Sequence, residues 1–231
     1  MTGFISATNL TKFYQEGEIK TTALAGLNLQ IEQGEIVAII GPSGSGKSTF
    51  LNILGGLDRP TSGSLTVGQV DITTLDDETL SRYRRDAVGF VWQQTSRNLL
   101  PYLTVRQNLL LPMKLRGIPR KKREAQATSL LEAVEIDHRL HYRAKILSGG
   151  EQQRAAIAIA LAHKPGILLA DEPTGSVDSE TTATIVRLFR KLAHQFGVTV
   201  IIVSHDTDLV AQVDRVLAIE AGRIYNFFVP V

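Results

Sequence analysis

The chain has 231 residues, of which 43% are hydrophobic and 21% are charged, and this ordinary globular composition excludes wholesale disorder. Lys and Arg total 25 against 23 Asp and Glu, so the net charge of +2 does not require nucleic acid or an acidic membrane as a partner. The absence of cysteine excludes disulfides, cysteine-ligated zinc and thiol catalysis.

The N-terminal residues do not show the charged start, apolar run and cleavage site of a secretory signal. The purely apolar runs are also far shorter than the ~18 residues that a transmembrane helix needs. We therefore expect a chain that stays in the cytosol and reaches any membrane through a partner.

Two segments alternate apolar and polar residues imperfectly, at 22–31 (TALAGLNLQI) and at 64–72 (SLTVGQVDI). Alternation with a period of two predicts strands with one solvated face, as in antiparallel sheets. We expect both at the edge of the main sheet, as an antiparallel β-subdomain.

A second class of short runs is rich in β-branched residues, and several of these runs are apolar throughout. Strands that are buried on both faces of a mainly parallel sheet have this composition, so the architecture is predicted to be α/β. The runs are 36–40, 88–92, 167–170, 198–203 and 216–220.

Strand-like runs stop between about residues 97 and 163, where the pattern predicts helices at 104–116, 120–134 and 150–163. A helical subdomain is therefore expected as an insertion in the α/β core. No repeat or flexible linker divides the sequence, so residues 1–231 are predicted to form a single domain.

The segment GPSGSGKS at 41–48 matches the phosphate-binding P-loop pattern, and it follows an apolar strand and opens a helical stretch. Its glycines let backbone N–H groups surround phosphates, and the helix N-terminus adds partial positive charge. Lys47 is expected to reach the β and γ phosphates, and Ser48 to ligate Mg²⁺. The alternative is a flexible turn before a helix. Such a turn would need neither the lysine nor the flanking strand and helix that the P-loop pattern requires.

A P-loop ATPase also needs a carboxylate at the end of a neighbouring buried strand, and ILLADE at 167–172 provides two. Asp171 is expected to hold Mg²⁺ through water, and Glu172 to orient or deprotonate the attacking water. Exposed acids at a strand end are common, so it is the P-loop that gives this pair its functional interpretation.

A second glycine-rich segment, LSGGEQQR at 147–154, precedes a helix of small and apolar residues. The residues alone support two interpretations. Ser148 can simply cap the helix, with Gly149 and Gly150 as a turn, or the helix N-terminus can bind a second anion.

Together these segments resemble the ATP-binding cassette (ABC) ATPases along nearly the whole chain and in the family's order. LSGGEQQR resembles the family's signature, GPSGSGKS its Walker A loop and ILLADE its Walker B strand. The single residues that match are Tyr14 for the aromatic that stacks on adenine, Gln93 for the Q-loop glutamine, Asp178 for the D-loop aspartate and His205 for the switch histidine.

The resemblance implies a RecA-like P-loop NTPase core with an antiparallel β-subdomain and an α-helical subdomain, and an enzyme that hydrolyses ATP with Mg²⁺. It assigns catalytic roles to Lys47, Gln93, Glu172 and His205, and Mg²⁺ binding to Ser48, Gln93 and Asp171. The residues that it assigns to ATP binding are Tyr14, Gly41, Pro42, Ser43, Gly44, Ser45, Gly46, Lys47, Ser48 and Thr49.

In that family two cassettes pair head to tail, and the signature of one completes the ATP site of the other. The resemblance therefore implies an ATP-dependent homodimer with the signature acting in trans. The usual signature glutamine is Glu151 here, and we expect its added negative charge to weaken closure slightly. The signature residues are Leu147, Ser148, Gly149, Gly150 and Glu151.

Several stretches, including LNILGGLDRPTSG and ADEPTGSVDSET, resemble the lipoprotein-release and macrolide-exporter (MacB/LolD-like) group. This resemblance implies a motor subunit on the inner face of the cell membrane. Such a subunit drives a separate integral-membrane permease, for export or mechanotransmission of lipoprotein, peptide or macrolide-like cargo. The alternatives are a cell-division-associated cassette and a cytosolic ABC ATPase that acts on nucleic acid or ribosomes. No nucleic acid is expected, because neither fused cassettes nor a long coiled coil is present.

The strongest basic cluster is RGIPRKKRE at 116–124. It is interpreted either as a solvated turn and helix start or as a contact for acidic lipid head groups. The other histidines lack metal-ligand spacing and are expected to be solvated or packed; they are His138, His141, His163 and His194.

Overall fold

The computed structural model describes residues 3–94, 97–173, 179–205 and 213–227. Two compact units make up the chain: unit 1 comprises Met1–Arg84 and Thr199–Val231, and unit 2 comprises Arg85–Val198. None of the helices in the described ranges combines the length and the apolarity needed to cross a membrane.

The strands are β1 (Ile5–Glu16), β2 (Ile19–Ile31), β3 (Ile36–Ile40), β4 (Ser62–Val67), β5 (Val70–Asp71), β6 (Val88–Val91), β7 (Ile167–Asp171), β8 (Thr199–Ser204), β9 (Arg215–Glu220) and β10 (Arg223–Asn226). The α-helices are α1 (Lys47–Leu54), α2 (Asp77–Ala87), α3 (Val105–Leu115), α4 (Arg120–Ala133), α5 (Gly149–Leu161) and α6 (Ser179–Phe196). Short 3₁₀ turns occur at Ile72–Thr74, Asp137–Arg139 and Ala144–Ile146.

Unit 1 contains an antiparallel sheet in the order β2-β1-β4-β5. The expectation of strands at the edge of the main sheet was wrong, since these strands form a separate sheet. The predicted strand at 64–72 is also divided into β4 and β5. Gly68 makes the turn between them at φ +62°, and its N–H donates to the carbonyl of Phe4 at 2.7 Å.

Unit 1 also contains parallel pairs, with β3 between β8 and β9, and β10 antiparallel to β9. All five side chains of β3 are buried, as the apolar run predicted. The loop at 41–46 connects the carboxyl end of β3 directly to the first residue of α1.

Unit 2 pairs β6 in parallel with β7 and carries the predicted helices α3, α4 and α5. The helices pack through fully buried residues such as Leu109 and Met113 of α3 and Leu130 of α4. Helix α5 lies against β6 so closely that a Cβ on Gly89 would be 2.4 Å from the Ala160 carbonyl oxygen. The small side chains of α5 permit this approach. The bounds of α3, α4 and α5 confirm the three helices that the sequence predicted in this region.

Candidate functional site

The P-loop at 41–49 has a backbone that only glycine satisfies at two positions. Gly46, just before α1, has φ +108°, and a Cβ there would lie 2.3 Å from the carbonyl oxygen of Ala23. A Cβ on Gly41 would lie 2.2 Å from the carbonyl oxygen of Ile219. The loop is therefore pressed against β2 and β9, and its glycines are required by contact as well as by conformation.

The side chain of Lys47 folds back to the start of this loop. It is buried, and its ammonium donates to the carbonyl oxygens of Gly41 at 2.7 Å and Pro42 at 2.9 Å. Ser45 is buried as well, and its hydroxyl oxygen has no hydrogen-bond partner among the described residues. The ammonium of Lys47, the hydroxyl of Ser45 and the N-terminus of α1 can each interact with phosphate oxygens. These residues therefore fit the nucleotide that the sequence predicted.

The outer part of the loop is open to solvent. Pro42, Ser43, Gly44 and Ser48 are exposed, and Thr49 is half-buried. Ser48 is the second residue of α1, directly after Lys47, and its role as a ligand of Mg²⁺ stays a prediction.

Tyr14 lies on β1, and the residue is 44% exposed. Its hydroxyl donates to Asp58 at 2.8 Å, and Lys12 bonds the other oxygen of the same carboxylate at 2.7 Å. Burial raises the pKa of the Tyr14 phenol, and the bond to Asp58 raises it further. The ring is thus anchored at its polar end, while its surface remains accessible for the predicted stacking on adenine.

His205 follows β8 at the edge where the P-loop follows β3. The parallel register pairs Ile40 with Ser204, so Gly41 and His205 are the next residues on adjacent strands. His205 is exposed. The structure therefore brings the predicted switch histidine to the P-loop edge of unit 1.

In unit 2, Gln93 and the acidic pair occupy corresponding places on adjacent strands. Val91 at the end of β6 pairs with Ala170 of β7. Gln93 lies two residues after Val91, and Asp171 and Glu172 are the two residues after Ala170. Glu172 has φ +47°, a left-handed conformation that is uncommon for a residue with a side chain. Such strain persists where the surroundings impose it, and it often accompanies function.

The signature at 147–151 opens α5. Ser148 has an extended conformation, and its hydroxyl accepts a bond from the N–H of Glu151 at 3.3 Å. In return the Glu151 carboxylate accepts a bond from the N–H of Ser148 at 2.8 Å. This capping box confirms the predicted N-cap role of Ser148. Positions for a Cβ on Gly149 and Gly150 have no neighbouring atom within 4 Å, so the helix start is also accessible to a ligand.

The sequence did not indicate the partner of Glu151. The guanidinium of Arg139 donates to the remaining carboxylate oxygen at 2.6 Å. The bond from Ser148 and the pairing with Arg139 lower the pKa of Glu151 to about 2. Arg139 belongs to no motif and lies on a 3₁₀ turn, so no periodicity could have identified it.

Part of the basic run at 116–124 has structural partners. Arg116 donates to the carbonyl oxygens of His163 and Lys164, and Glu124 pairs with Arg106. Lys121 and Lys122 are exposed at the start of α4. His163 is packed as predicted, since it is buried and its Nε2 lies 3.0 Å from the carbonyl oxygen of Val88. The predicted D-loop Asp178 lies outside the described residues.

A model of the ABC transporter family matches residues 24–175. The macrolide export ATP-binding/permease protein MacB of Salmonella typhimurium is 44% identical over 226 residues, which cover 98% of this chain but 34% of that protein. The lipoprotein-releasing system ATP-binding protein LolD of Geobacter metallireducens is 41% identical over 224 residues, which cover 97% of this chain and 99% of that protein.

The ABC transporter ATP-binding protein MJ0796 of Methanocaldococcus jannaschii is 44% identical over 224 residues, 95% of this chain and 94% of that protein. A solved dimeric structure of MJ0796 superposes with a TM-score of 0.86 and covers 98% of this chain and 100% of that one. A second dimeric structure of MJ0796 holds ADP and Pi in a post-hydrolysis state. The family model matches most of the residues, and the similarities to these relatives extend along nearly the full length of the chain. The chain therefore belongs to the ABC transporter family, as an ATP-binding cassette ATPase of the MacB- and LolD-like group.

Proposed function

We propose that this chain is the motor subunit of an ABC transporter, which pairs head to tail with a second copy when ATP binds and drives a separate membrane permease. The observation that carries the proposal is the exposed start of α5, where Ser148 and two unobstructed glycines offer an anion site in addition to the P-loop. The dimeric structures of MJ0796 support the pairing.

In this proposal the P-loop binds the phosphates, and the ammonium of Lys47 moves from its carbonyl partners to the β and γ phosphates. Tyr14 stacks on the adenine, and the fixed bond from its hydroxyl to Asp58 sets the ring's place. Ser48 and Gln93, with Asp171 through water, would hold Mg²⁺, which would neutralise phosphate charge.

Glu172 orients the attacking water and accepts its proton. The left-handed backbone of Glu172 sets the direction in which its side chain leaves the end of β7. His205 bonds the γ-phosphate from the carboxyl end of β8. Asp178 acts in the D-loop, and within the signature Ser148 and Gly150 contact the γ-phosphate held by the other copy.

The proposed location is the cytoplasmic face of the cell membrane, which the chain reaches through its permease. The similarity to LolD favours a lipoprotein cargo and the similarity to MacB a macrolide-like one, and both favour an export or mechanotransmission role; a peptide is the further candidate cargo. Composition and net charge give no support to a nucleic-acid partner.

The test uses Glu172→Gln, which keeps the shape of the side chain and removes its basicity. ATP binding should be unchanged, hydrolysis should slow by at least about 100-fold, and the protein should elute as a dimer on a sizing column with Mg-ATP but not with Mg-ADP. Glu132→Gln, on the exposed surface of α4, is the matched control and should hydrolyse ATP normally. A protein that stays monomeric with Mg-ATP would contradict the dimer.

The partner is tested by affinity capture from detergent-solubilised membranes. Recovery of an integral-membrane permease supports the transport role. Recovery of ribosomes or DNA instead would assign the ATPase to one of the alternative functions.

A further inference from the structure

The carboxylate of Glu151 is held from two sides. One oxygen accepts the N–H of Ser148 at 2.8 Å, and the other accepts the Arg139 guanidinium at 2.6 Å. The Arg139 guanidinium carbon also lies 4.9 Å from the centre of the Tyr142 ring. The arginine is therefore fixed by an ion pair and by an aromatic contact, and both oxygens of Glu151 have a partner.

The ion pair is shielded on the acidic side. The Glu151 side chain is 19% exposed and the Arg139 side chain 34% exposed. His138 Nε2 approaches the same oxygen only to 3.7 Å, which is too long for a hydrogen bond. Arg139 is thus the strong cationic partner of Glu151.

The position of Glu151 makes this pairing relevant to an anion at the signature. Glu151 is the third residue of α5, and its N–H donates to the hydroxyl of Ser148. An unpaired carboxylate here would repel a phosphate bound at the same helix start, since like charges disfavour each other at short range. A carboxylate paired with Arg139 still accepts the N–H of Ser148 and so completes the capping box, while the arginine compensates most of its charge.

We infer that Arg139 is a positioning residue for the ATP-bound dimer: by pairing with Glu151 it fixes Ser148 at the start of α5 and compensates the carboxylate that would otherwise oppose the γ-phosphate of the other copy. The inference rests on the proposed head-to-tail dimer. It also revises the expectation that Glu151 by itself weakens closure, because its charge is compensated within the same chain.

The experiment measures the Mg-ATP concentration that half-converts the Glu172→Gln protein to dimer, by sizing with light scattering. In that background, Arg139→Gln should raise this concentration by at least about tenfold, equivalent to 1.4 kcal/mol. Glu151→Gln should change it by less than about threefold, because a glutamine amide still completes the capping box. The affinity of each monomer for a fluorescent ATP analogue should be unchanged, since the P-loop is untouched.

The decisive variant combines Arg139→Gln with Glu151→Gln. If Arg139 compensates charge, the second change should recover most of the loss, to within about threefold of the parent. If Arg139 only supports the fold, the double variant should be as impaired as the single one. His138→Gln, on the same turn, is the matched control and should behave like the parent.

Arg139→Lys keeps the inference testable if Arg139→Gln does not fold. It retains the charge without the planar fork, and it should stay within about threefold of the parent. Dimerisation that is unaffected by Arg139→Gln, or not recovered in the double variant, overturns the inference while leaving the dimer intact. A parent that fails to dimerise refutes the proposed dimer and the inference with it.

Discussion

The backbone N–H of Gly222 donates to the carbonyl oxygen of Ser45 at 3.0 Å, which ties the turn between β9 and β10 to the P-loop. The carbonyl of Gly222 in turn accepts the N–H of Ala25 on β2 at 2.9 Å. A Cβ on Gly222 would lie 2.8 Å from the Ala23 carbonyl oxygen, so the approach depends on glycine. The phosphate loop is therefore shaped by three strands before any nucleotide binds.

Replacement of Lys47 by alanine should abolish most ATP binding. Lys47 is buried with its ammonium bonded inside the loop, and no other lysine or arginine among the described residues is buried. Hydrogen bonds to charged groups contribute about 1.5–3 kcal/mol, so affinity should fall by roughly 10- to 100-fold or more. Equilibrium titration with a fluorescent ATP analogue measures this. Lys121→Ala, exposed on α4, is the control, and equal affinities in the two variants would refute the P-loop assignment.

The Tyr14 ring should contribute to affinity independently of its hydroxyl. Tyr14→Ala removes the stacking surface and should weaken ATP binding by about 1–3 kcal/mol. Tyr14→Phe keeps the ring and loses the bonds of the hydroxyl to Asp58 and Thr49, so it should retain most of the affinity. The same titration with ATP and with inorganic triphosphate separates the two effects. Loss of triphosphate binding in Tyr14→Ala would indicate damage to the loop and not to stacking.

Two glycines of the P-loop should differ sharply in their tolerance of alanine. Gly46→Ala meets both a forbidding φ of +108° and the Ala23 carbonyl oxygen, so the free energy of unfolding should fall by about 2–4 kcal/mol. Gly44 has φ +77° with open space around a Cβ, so Gly44→Ala should cost only about 1 kcal/mol. Urea denaturation measures both, and equal losses would contradict the contact with Ala23.

Overpacking between α5 and β6 should be costly. In Gly89→Ala the new Cβ would lie 2.4 Å from the Ala160 carbonyl oxygen and 3.0 Å from Leu168 Cδ1, so we expect a loss of about 1–3 kcal/mol in the free energy of unfolding. The control is Gly149→Ala, where no atom lies within 4 Å. Its stability should be unchanged or slightly higher, because alanine is the better helix former. Urea midpoints of the two proteins compare them directly.

The ionisation of Glu151 should be visible in a pH titration. Its pKa is lowered from 4.5 to about 2 by the Ser148 N–H and by Arg139, so the ionised form stabilises the fold above about pH 4.5. That contribution is lost as the pH falls from about 4.5 towards about 2. In Arg139→Gln the pKa should rise but stay below 4.5, because the Ser148 bond remains. Carbon NMR of the carboxyl group measures both values, and an unchanged pKa in the variant would exclude the ion pair.

The sequence predicted the elements whose pattern is uniform. The wholly apolar β3 and the P-loop were located correctly because continuous burial and loop chemistry both show in the residues. Strand β1 was not predicted, because its alternation breaks where the register shifts between Ala7 and Leu10, next to Asn9 at φ +48°. A bulge of this kind moves the apolar residues to the other parity, which hides a strand from a period-two pattern.

The candidate site was predictable to a similar degree. Motif residues such as Lys47 and Ser148 could be selected as candidates because their chemistry depends on neighbours in the sequence. The contacts of Gly222 with Ser45 and of Arg139 with Glu151 were not, since each joins residues that only the fold brings together. Assignments that depend on nucleotide, metal or a second copy remain predictions.

No side chain separates Gly89 from the Ala160 carbonyl, so the backbones of β6 and α5 pack directly against each other, and packing this close transmits displacement. Gln93 lies just beyond the end of β6, and Ser148 lies just before the start of α5. A displacement of the loop at Gln93 is therefore expected to carry α5 with it as one rigid body, and not to be absorbed by side-chain rotation. Displacement of the loop at Gln93 would then reach Ser148 as movement of a single strand–helix pair within unit 2.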